Sequence, residues 1–377
     1  VPDPRCIYRN AHKLPAAHTL TLRRGDAERP VPQAYWDVRF SHDNPIGQAD
    51  AEAELRDRVR ESVRLRMVAD VPLGAFLSGG VDSSAVVATM AGLSRTPVHT
   101  CAIGFDDPRF NESAFAQMVA DRYHTDHRLE VVKGDDFDLI DTLAWLYDEP
   151  FADSSALPTY RVCQMARKHV TVALSGDGGD ESLGGYRRYR MHLGEERVRN
   201  LLPHGLRRPL FGALGQVYPK ADWAPRPLRA KTTFQAMAMD SVQAYHHSMS
   251  HLRADQRRAL FSPTFQRSLG GYSALEVFHQ HAQNAQTDDP LALIQYLDYK
   301  TWLIGDINTK VDRASMAHSL EVREPLMDHM LVEWLATLPS SLKIHAGEGK
   351  YVLKKAFEPL LPHDVLYRPK MGFSVPL

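Results

Sequence analysis

Between residues 50 and 69 the apolar positions are sparse but regular: Leu55, Val59, Val63 and Met67 recur four residues apart, with several arginines among the polar positions. That spacing lays one apolar stripe along an amphipathic helix. Downstream the pattern changes to short apolar runs at 73–77, 98–103, 127–132 and 170–174, separated by helix-like stretches at 84–92, 112–123, 137–147 and 158–168. Strands that alternate with helices predict a mainly parallel sheet covered by helices on both faces. Beyond about residue 190 the strand signal fades, and 290–303 and 329–338 read as helices with prolines between elements. Residues 1–45 hold only short β-like pieces, such as 18–22, and a proline-containing stretch that ends at 34–37. The pattern therefore divides the chain into 1–45, the end of a preceding domain and its linker; 46–190, an α/β core; and 191–377, a mainly helical part. No internal repeat or low-complexity segment interrupts it.

The apolar run at 73–77 ends in Ser78-Gly79-Gly80-Val81-Asp82-Ser83-Ser84, and a helix follows. A glycine turn that opens a helix after a buried strand offers free backbone N–H groups and a positive dipole to phosphate. Gly79 and Gly80 allow close approach of the backbone, and the serine hydroxyls add donors. Asp82 alone would repel phosphate, so its presence implies a bridging divalent cation, magnesium by preference. No lysine closes the loop, which excludes the G-x-x-x-x-G-K-[ST] type. The plain alternative is a serine-glycine turn with a helix cap at Asp82 or Ser83. The full pattern resembles the pyrophosphate loop of the ATP-pyrophosphatase superfamily, whose members release AMP and pyrophosphate from ATP.

A second constellation follows the run at 170–174: Ser175-Gly176-Asp177-Gly178-Gly179-Asp180-Glu181. It nearly fits G-x-G-x-x-G, but Glu181 occupies the last glycine position, so a dinucleotide fingerprint fails. The carboxylates of Asp177, Asp180 and Glu181 repel one another, and a metal or a cationic reactant would offset that repulsion. A solvated acidic turn is the plain alternative. Ligands in open α/β sheets bind at the carboxyl ends of strands, where both loops lie.

These loops, together with the segment 306–328 (DINTKVDRASMAHSLEVREPLMD), resemble the synthetase domain of glutamine-dependent asparagine synthetases over nearly the whole chain, from about Tyr35 onward. The resemblance implies an adenine nucleotide alpha hydrolase-like sheet followed by a helical part that completes the active site. It also implies that ATP adenylates a carboxylate, aspartate by default, and that ammonia converts the acyl adenylate to an amide and AMP. By matching positions, Ser78, Gly79, Gly80, Asp82, Ser83 and Ser84 would hold pyrophosphate and magnesium, with Asp180 as the second metal carboxylate. Phe76, Ile103, Ser175 and Gly176 would line the adenosine site through their backbone. Asp177 stands where these synthetases often carry glutamate, so its shorter side chain departs from the pattern at a catalytic position. Lys350 matches the family lysine near the phosphates, where an ammonium can stabilise charge as the α–β phosphate bond breaks. Among the charged series Asp306, Lys310, Asp312, Arg313, Glu321, Arg323 and Asp328, the expectation places Arg313, Glu321 and Arg323 near the substrate and leaves others to structural ion pairs. Residues 148–155, with Glu149 and Asp153, resemble the loop that borders the acyl site.

Composition narrows the partners. Lys plus Arg total 45 and Asp plus Glu 46, so bulk electrostatics give no argument for nucleic acid or membrane. No apolar run approaches the roughly 20 residues needed to cross a bilayer, and no signal-peptide pattern opens the chain. Cys6, Cys101 and Cys163 lack zinc or CxxC spacing; together these features give a cytoplasmic expectation. The chain opens at Val1 and stops at 373–377 without a polar tail, as a fragment would. The family's glutaminase domain uses an N-terminal cysteine; Val1 stands here, and the first about 35 residues are too few for that domain. They resemble its last strands, so free ammonia is the expected nitrogen source, and a homodimer is compatible with the family. His247 and His251 lack the glutamate of H-E-x-x-H, and Arg187–Arg190 is too short a run to indicate nucleic acid. Other expectations kept open are amidation of a different carboxylate, a nucleotide-binding relative without turnover, and another ATP-pyrophosphatase such as a tRNA-thiolating enzyme. Intact Asp82, Asp180 and Lys350 oppose the second, and the missing paired cysteines oppose the third.

Overall fold

The computed structural model describes residues 1–25, 30–41, 44–107, 111–132, 137–219, 223, 225 and 230–368; the chain end at 373–377 lies outside them. A short antiparallel pair, β1 (His18–Thr19) and β2 (Gln33–Ala34), stands where the β-like piece at 18–22 was expected. The chain divides into two compact units, Val1–Leu183 with Thr301–Leu377, and Gly184–Lys300.

The first unit is built on five parallel strands, β3 (Leu73–Phe76), β4 (His99–Phe105), β5 (Asp126–Val132), β6 (Val172–Leu174) and β7 (Glu321–Arg323), in the order β5-β4-β3-β6-β7. The four apolar runs supply the first four. β7 escaped the sequence because only Val322 of its three residues is apolar. It pairs with β6 through Val172↔Glu321 and Leu174↔Arg323, which returns residues 301–377, expected with the helical part, to the unit that holds the sheet.

Helices α1 (Gln48–Arg66), α2 (Val81–Leu93), α3 (Ser113–Tyr123), α4 (Ile140–Tyr147), α5 (Ala156–Arg167) and α6 (Gly179–Leu183) connect these strands or precede them. The apolar stripe of α1 packs as its spacing requires, with Leu55, Val59 and Val63 fully buried. Each such side chain contributes about 1.5–3 kcal/mol by leaving water. Side chains alternate along the strands. Ala75, Leu77, Ala102 and Leu174 join α1, α2 and α3 on one face, whereas Phe76, Cys101, Ile103 and Ala173 join α5 on the other.

The second unit comprises α7 (Arg187–Leu201), α8 (His204–Val217), α9 (Lys231–Met237), α10 (Ser241–Met249), α11 (Ala254–Leu260), α12 (Pro263–Ser268), α13 (Leu275–Asn284) and α14 (Pro290–Asp298). Its centre holds a buried ion network: Asp298 accepts from Tyr189 Oη at 2.5 Å, Tyr245 Oη at 2.6 Å and Arg188 Nη2 at 2.6 Å. Full pairing is what permits a carboxylate to sit there. A π-helical stretch, Tyr299–Asn308, then leads to α15 (Thr309–Met316), α16 (His329–Thr337), α17 (Ser340–Lys343), the hairpin β8 (Ile344–His345) with β9 (Glu348–Gly349), α18 (Tyr351–Phe357) and α19 (His363–Leu366). Among the described residues no helix is long and apolar enough to cross a membrane.

Candidate active site

The strand order places the switch of winding direction between β3 and β6, where open α/β sheets form their ligand crevice. The two glycine loops leave the carboxyl ends of those two strands. After β3, Gly79 adopts φ +70°, and a Cβ there would lie 2.5 Å from Ala116 N and 2.6 Å from Phe115 Cβ. Only glycine allows this turn against the start of α3. Gly80 is the N-cap of α2 and provides no side-chain cap, so the first N–H groups of α2 have no intrahelical acceptor. Serine hydroxyls brace the turn: Ser78 N–H donates to Ser83 Oγ at 3.3 Å, and Ser83 Oγ donates to the Gly80 carbonyl at 3.2 Å. Ser84 is fully buried, its hydroxyl without a hydrogen-bond partner among the described residues.

The loop after β6 lies directly on that helix start. A Cβ on Gly176 would meet Ser83 N at 2.6 Å and the Asp82 carbonyl carbon at 2.9 Å; one on Gly179 would meet Asp82 Oδ1 at 2.6 Å. Gly176→Ala is therefore expected to lower stability by about 1–3 kcal/mol through overpacking, measured by urea titration. Ser175 N–H donates to the Arg323 carbonyl of β7 at 2.8 Å, and Ser175 Oγ donates to Asp177 Oδ2 at 2.5 Å. These bonds hold Asp177 close to the end of its strand.

Lys350 arrives from the turn between β9 and α18, where it adopts φ +57° and its N–H donates to the Leu183 carbonyl at 3.0 Å. Its ammonium pairs with Asp82 Oδ2 and lies 2.8 Å from Asp180 Oδ1, with the residue 4% exposed. Burial works against that charge, but Asp180 and Asp82 outweigh it and hold the lysine pKa above its ordinary value. Three residues far apart in sequence thus meet at the uncapped end of α2. Asp82 and Asp180 offer carboxylate oxygens of the kind that magnesium takes, one or two per ion, with phosphate and water in its other positions. No cluster of three metal-type side chains occurs among the described residues.

The other expected residues each hold partners of their own. Glu149 accepts from Lys13 Nζ at 2.6 Å, and from the Val1 amine and Ile7 N–H at 3.3 Å. Asp153 accepts from Lys310 Nζ at 2.7 Å and from Ser155 N–H at 2.9 Å. Burial raises the pKa of Asp153, but Lys310 and Ser155 prevail and lower it. Arg313 pairs with Asp148 at 3.0 Å on the surface. Arg323 binds Glu321 at 2.6 Å and the carbonyls of Arg66 and Val68 at 2.8 and 2.7 Å. Asp328 caps α16 through Met330 N–H at 2.9 Å and pairs with Arg66 at 2.9 Å. Phe76 and Ile103 pack their side chains into the core face that α5 covers; Phe76 is the last residue of β3, and Ile103 lies two residues before the end of β4.

Two residues that sequence reasoning missed belong to the same region. Glu324 follows β7, as Ser175 follows β6; burial first, and then the Asp177 charge, push its carboxyl up to about 7. Arg368 donates from Nε to the Gly79 carbonyl at 3.1 Å. The first was hidden with its strand, and the second lies remote from every motif.

Fold and site together define a parallel α/β protein with an anion-receptive turn and a lysine-bridged carboxylate pair at its switch point. The asparagine synthase family model matches residues 54–377. The chain is similar to a putative asparagine synthetase [glutamine-hydrolyzing] of Mycobacterium tuberculosis, 34% identical over 381 residues, which are 100% of this chain and 56% of the relative. It is also similar to asparagine synthetase [glutamine-hydrolyzing] 1 of Bacillus subtilis, 30% identical over 384 residues, 100% of this chain and 57% of that protein. Amidase chry2 of Gibberella zeae is 24% identical over 420 residues, 99% of this chain and 60% of that protein. The chain belongs to the asparagine synthase family and spans about half the length of these relatives.

Proposed function

We propose that the chain amidates a carboxylate at the expense of ATP, through an acyl adenylate, and that aspartate is the carboxylate. The convergence of Lys350, Asp82 and Asp180 at the uncapped start of α2 carries this reading. In the first step a carboxylate oxygen bonds to the α-phosphorus and pyrophosphate leaves. The turn from Ser78 to Ser84 receives that pyrophosphate through backbone N–H groups and hydroxyls, and Lys350 supports the charge that grows on the leaving oxygen. Magnesium held by Asp82 and Asp180 would neutralise phosphate charge when bound. The backbone of Phe76, Ile103, Ser175 and Gly176 borders the adenosine.

In the second step ammonia bonds to the acyl carbon, AMP leaves with the bonding electrons, and one proton must depart from nitrogen. Asp177 and Glu324 stand at neighbouring strand ends to accept it. Residues 148–155 border the acyl group, with Arg313, Glu321 and Arg323 in its wall. The names of the bacterial relatives support glutamine as the ultimate nitrogen source, released by a glutaminase domain of the kind that precedes this one in the family.

A second reading, amidation of another carboxylate, is favoured by the similarity to a fungal amidase. Pyrophosphate release with ATP, magnesium and ammonium, screened across aspartate and other acids, separates the two. Release with aspartate and asparagine formed supports the first; release only with another acid supports the second. Asp82→Ala is expected to lower pyrophosphate release by about 10²–10³-fold; a wild-type rate would refute the role of the turn.

A further inference from the structure

Arg368 joins three parts of the first unit that the reading above does not connect. Its Nε holds the Gly79 carbonyl at 3.1 Å, its Nη1 pairs with Glu112 Oε1, and its guanidinium lies 4.6 Å from the Phe115 ring centroid. The Arg368 side chain is 9% exposed and that of Glu112 15%, so the ion pair is sheltered. Nη2 lies 4.0 Å from the point where a Cβ on Gly80 would stand. Glu112 is the N-cap of α3 and Phe115 lies in its first turn.

The bond to Gly79 matters because of the peptide it belongs to. In a trans peptide the carbonyl and the following N–H point in opposite directions. With the Gly79 carbonyl on Arg368, the Gly80 N–H points to the Ser78 hydroxyl at 3.3 Å, on the side of the turn where Ser78 and Ser83 gather. Neither glycine has a side chain to resist rotation of this peptide. Rotation would turn a carbonyl oxygen toward the place meant for an anion. We propose that Arg368, set by Glu112 and Phe115, is a positioning residue that locks the Gly79–Gly80 peptide in its anion-receptive orientation. The inference rests on the reading of this turn as the pyrophosphate site.

Calorimetric titration of the full chain with magnesium pyrophosphate, and separately with AMP, tests it. Arg368→Ala is expected to weaken pyrophosphate at least tenfold while AMP affinity stays within twofold. Arg368→Lys should recover part of the loss, because an amine reaches the carbonyl but cannot also span to Glu112. Glu112→Gln, which keeps shape, should fall between and serves where Arg368→Ala fails to fold. Equal loss of both ligands would reduce Arg368 to a packing role and overturn the proposal, as would unchanged pyrophosphate binding. If the wild type binds neither ligand, the reading of the turn falls and the inference with it; if the wild type binds both, failure of the variants refutes the inference alone.

Discussion

Lys350→Ala is expected to lower pyrophosphate release by about 10³-fold and to destabilise the fold by about 3–5 kcal/mol. The two losses have different origins. The first removes the ammonium that would meet charge on the departing phosphate. The second leaves Asp82 and Asp180 facing each other without their common cation, and an uncompensated charge in a sheltered site is costly. Combining Lys350→Ala with Asp180→Asn should restore part of the stability and none of the activity. Urea titration and a pyrophosphate-release assay on both variants check this. A double variant that regains the rate would make Lys350 a structural brace rather than a participant.

Glu324→Gln should change the pH dependence of both rate and stability. The carboxyl is pushed up to about 7 by burial and by Asp177, from an ordinary value of 4.5. Between those values the folded chain holds a proton that the unfolded chain has released, so wild-type stability falls as pH rises through this window. The desolvation cost is fully present above the folded value and absent below 4.5. The slope amounts to about 3 kcal/mol at most, from a shift of roughly two and a half pH units, and the glutamine variant should lack it. If Glu324 accepts the proton from nitrogen, the wild-type rate climbs as pH passes about 7, and the variant is slower by about 10²–10⁴-fold with a flattened climb. Denaturant midpoints at pH 5 and pH 8, beside rate profiles, give both readouts. An unaltered profile in the variant would remove Glu324 from the chemistry.

The sheet was legible where burial on both faces required continuous apolar runs, as at β3, β4 and β6. It was illegible at β7, because Glu321 and Arg323 satisfy each other beside a single apolar residue. In the site, Asp82 and Asp180 announced themselves as carboxylates in glycine turns, where packing gives no reason for charge. Lys350 has no local signal, since a lysine after glycine is ordinary surface sequence; its burial follows from a turn that only the tertiary fold aims inward. Glu324 and Arg368 were invisible for the same reason. Their neighbours, Asp177 and the Gly79 carbonyl, lie more than a hundred residues away in the chain. Glu149 and Asp153 show the converse: a segment recognisable in sequence whose acids find lysine partners, Lys13 and Lys310, that no local pattern indicates.

The late arrival of β7 bears on how the protein is made. β6 meets its outer neighbour only after the whole of Gly184–Lys300 has been synthesised, and Lys350 follows later still. A nascent chain that has emerged as far as Lys300 carries a parallel sheet with an open β6 edge, the kind of edge that recruits foreign strands. Closing that edge requires a long-range contact, which slows folding. The same order of events means that a ribosome-bound chain presents both acidic loops before their cation exists. The Asp82–Lys350–Asp180 pairing thus waits until β7 has docked, and a product stalled at Lys300 would expose a sticky sheet edge together with two uncompensated carboxylates.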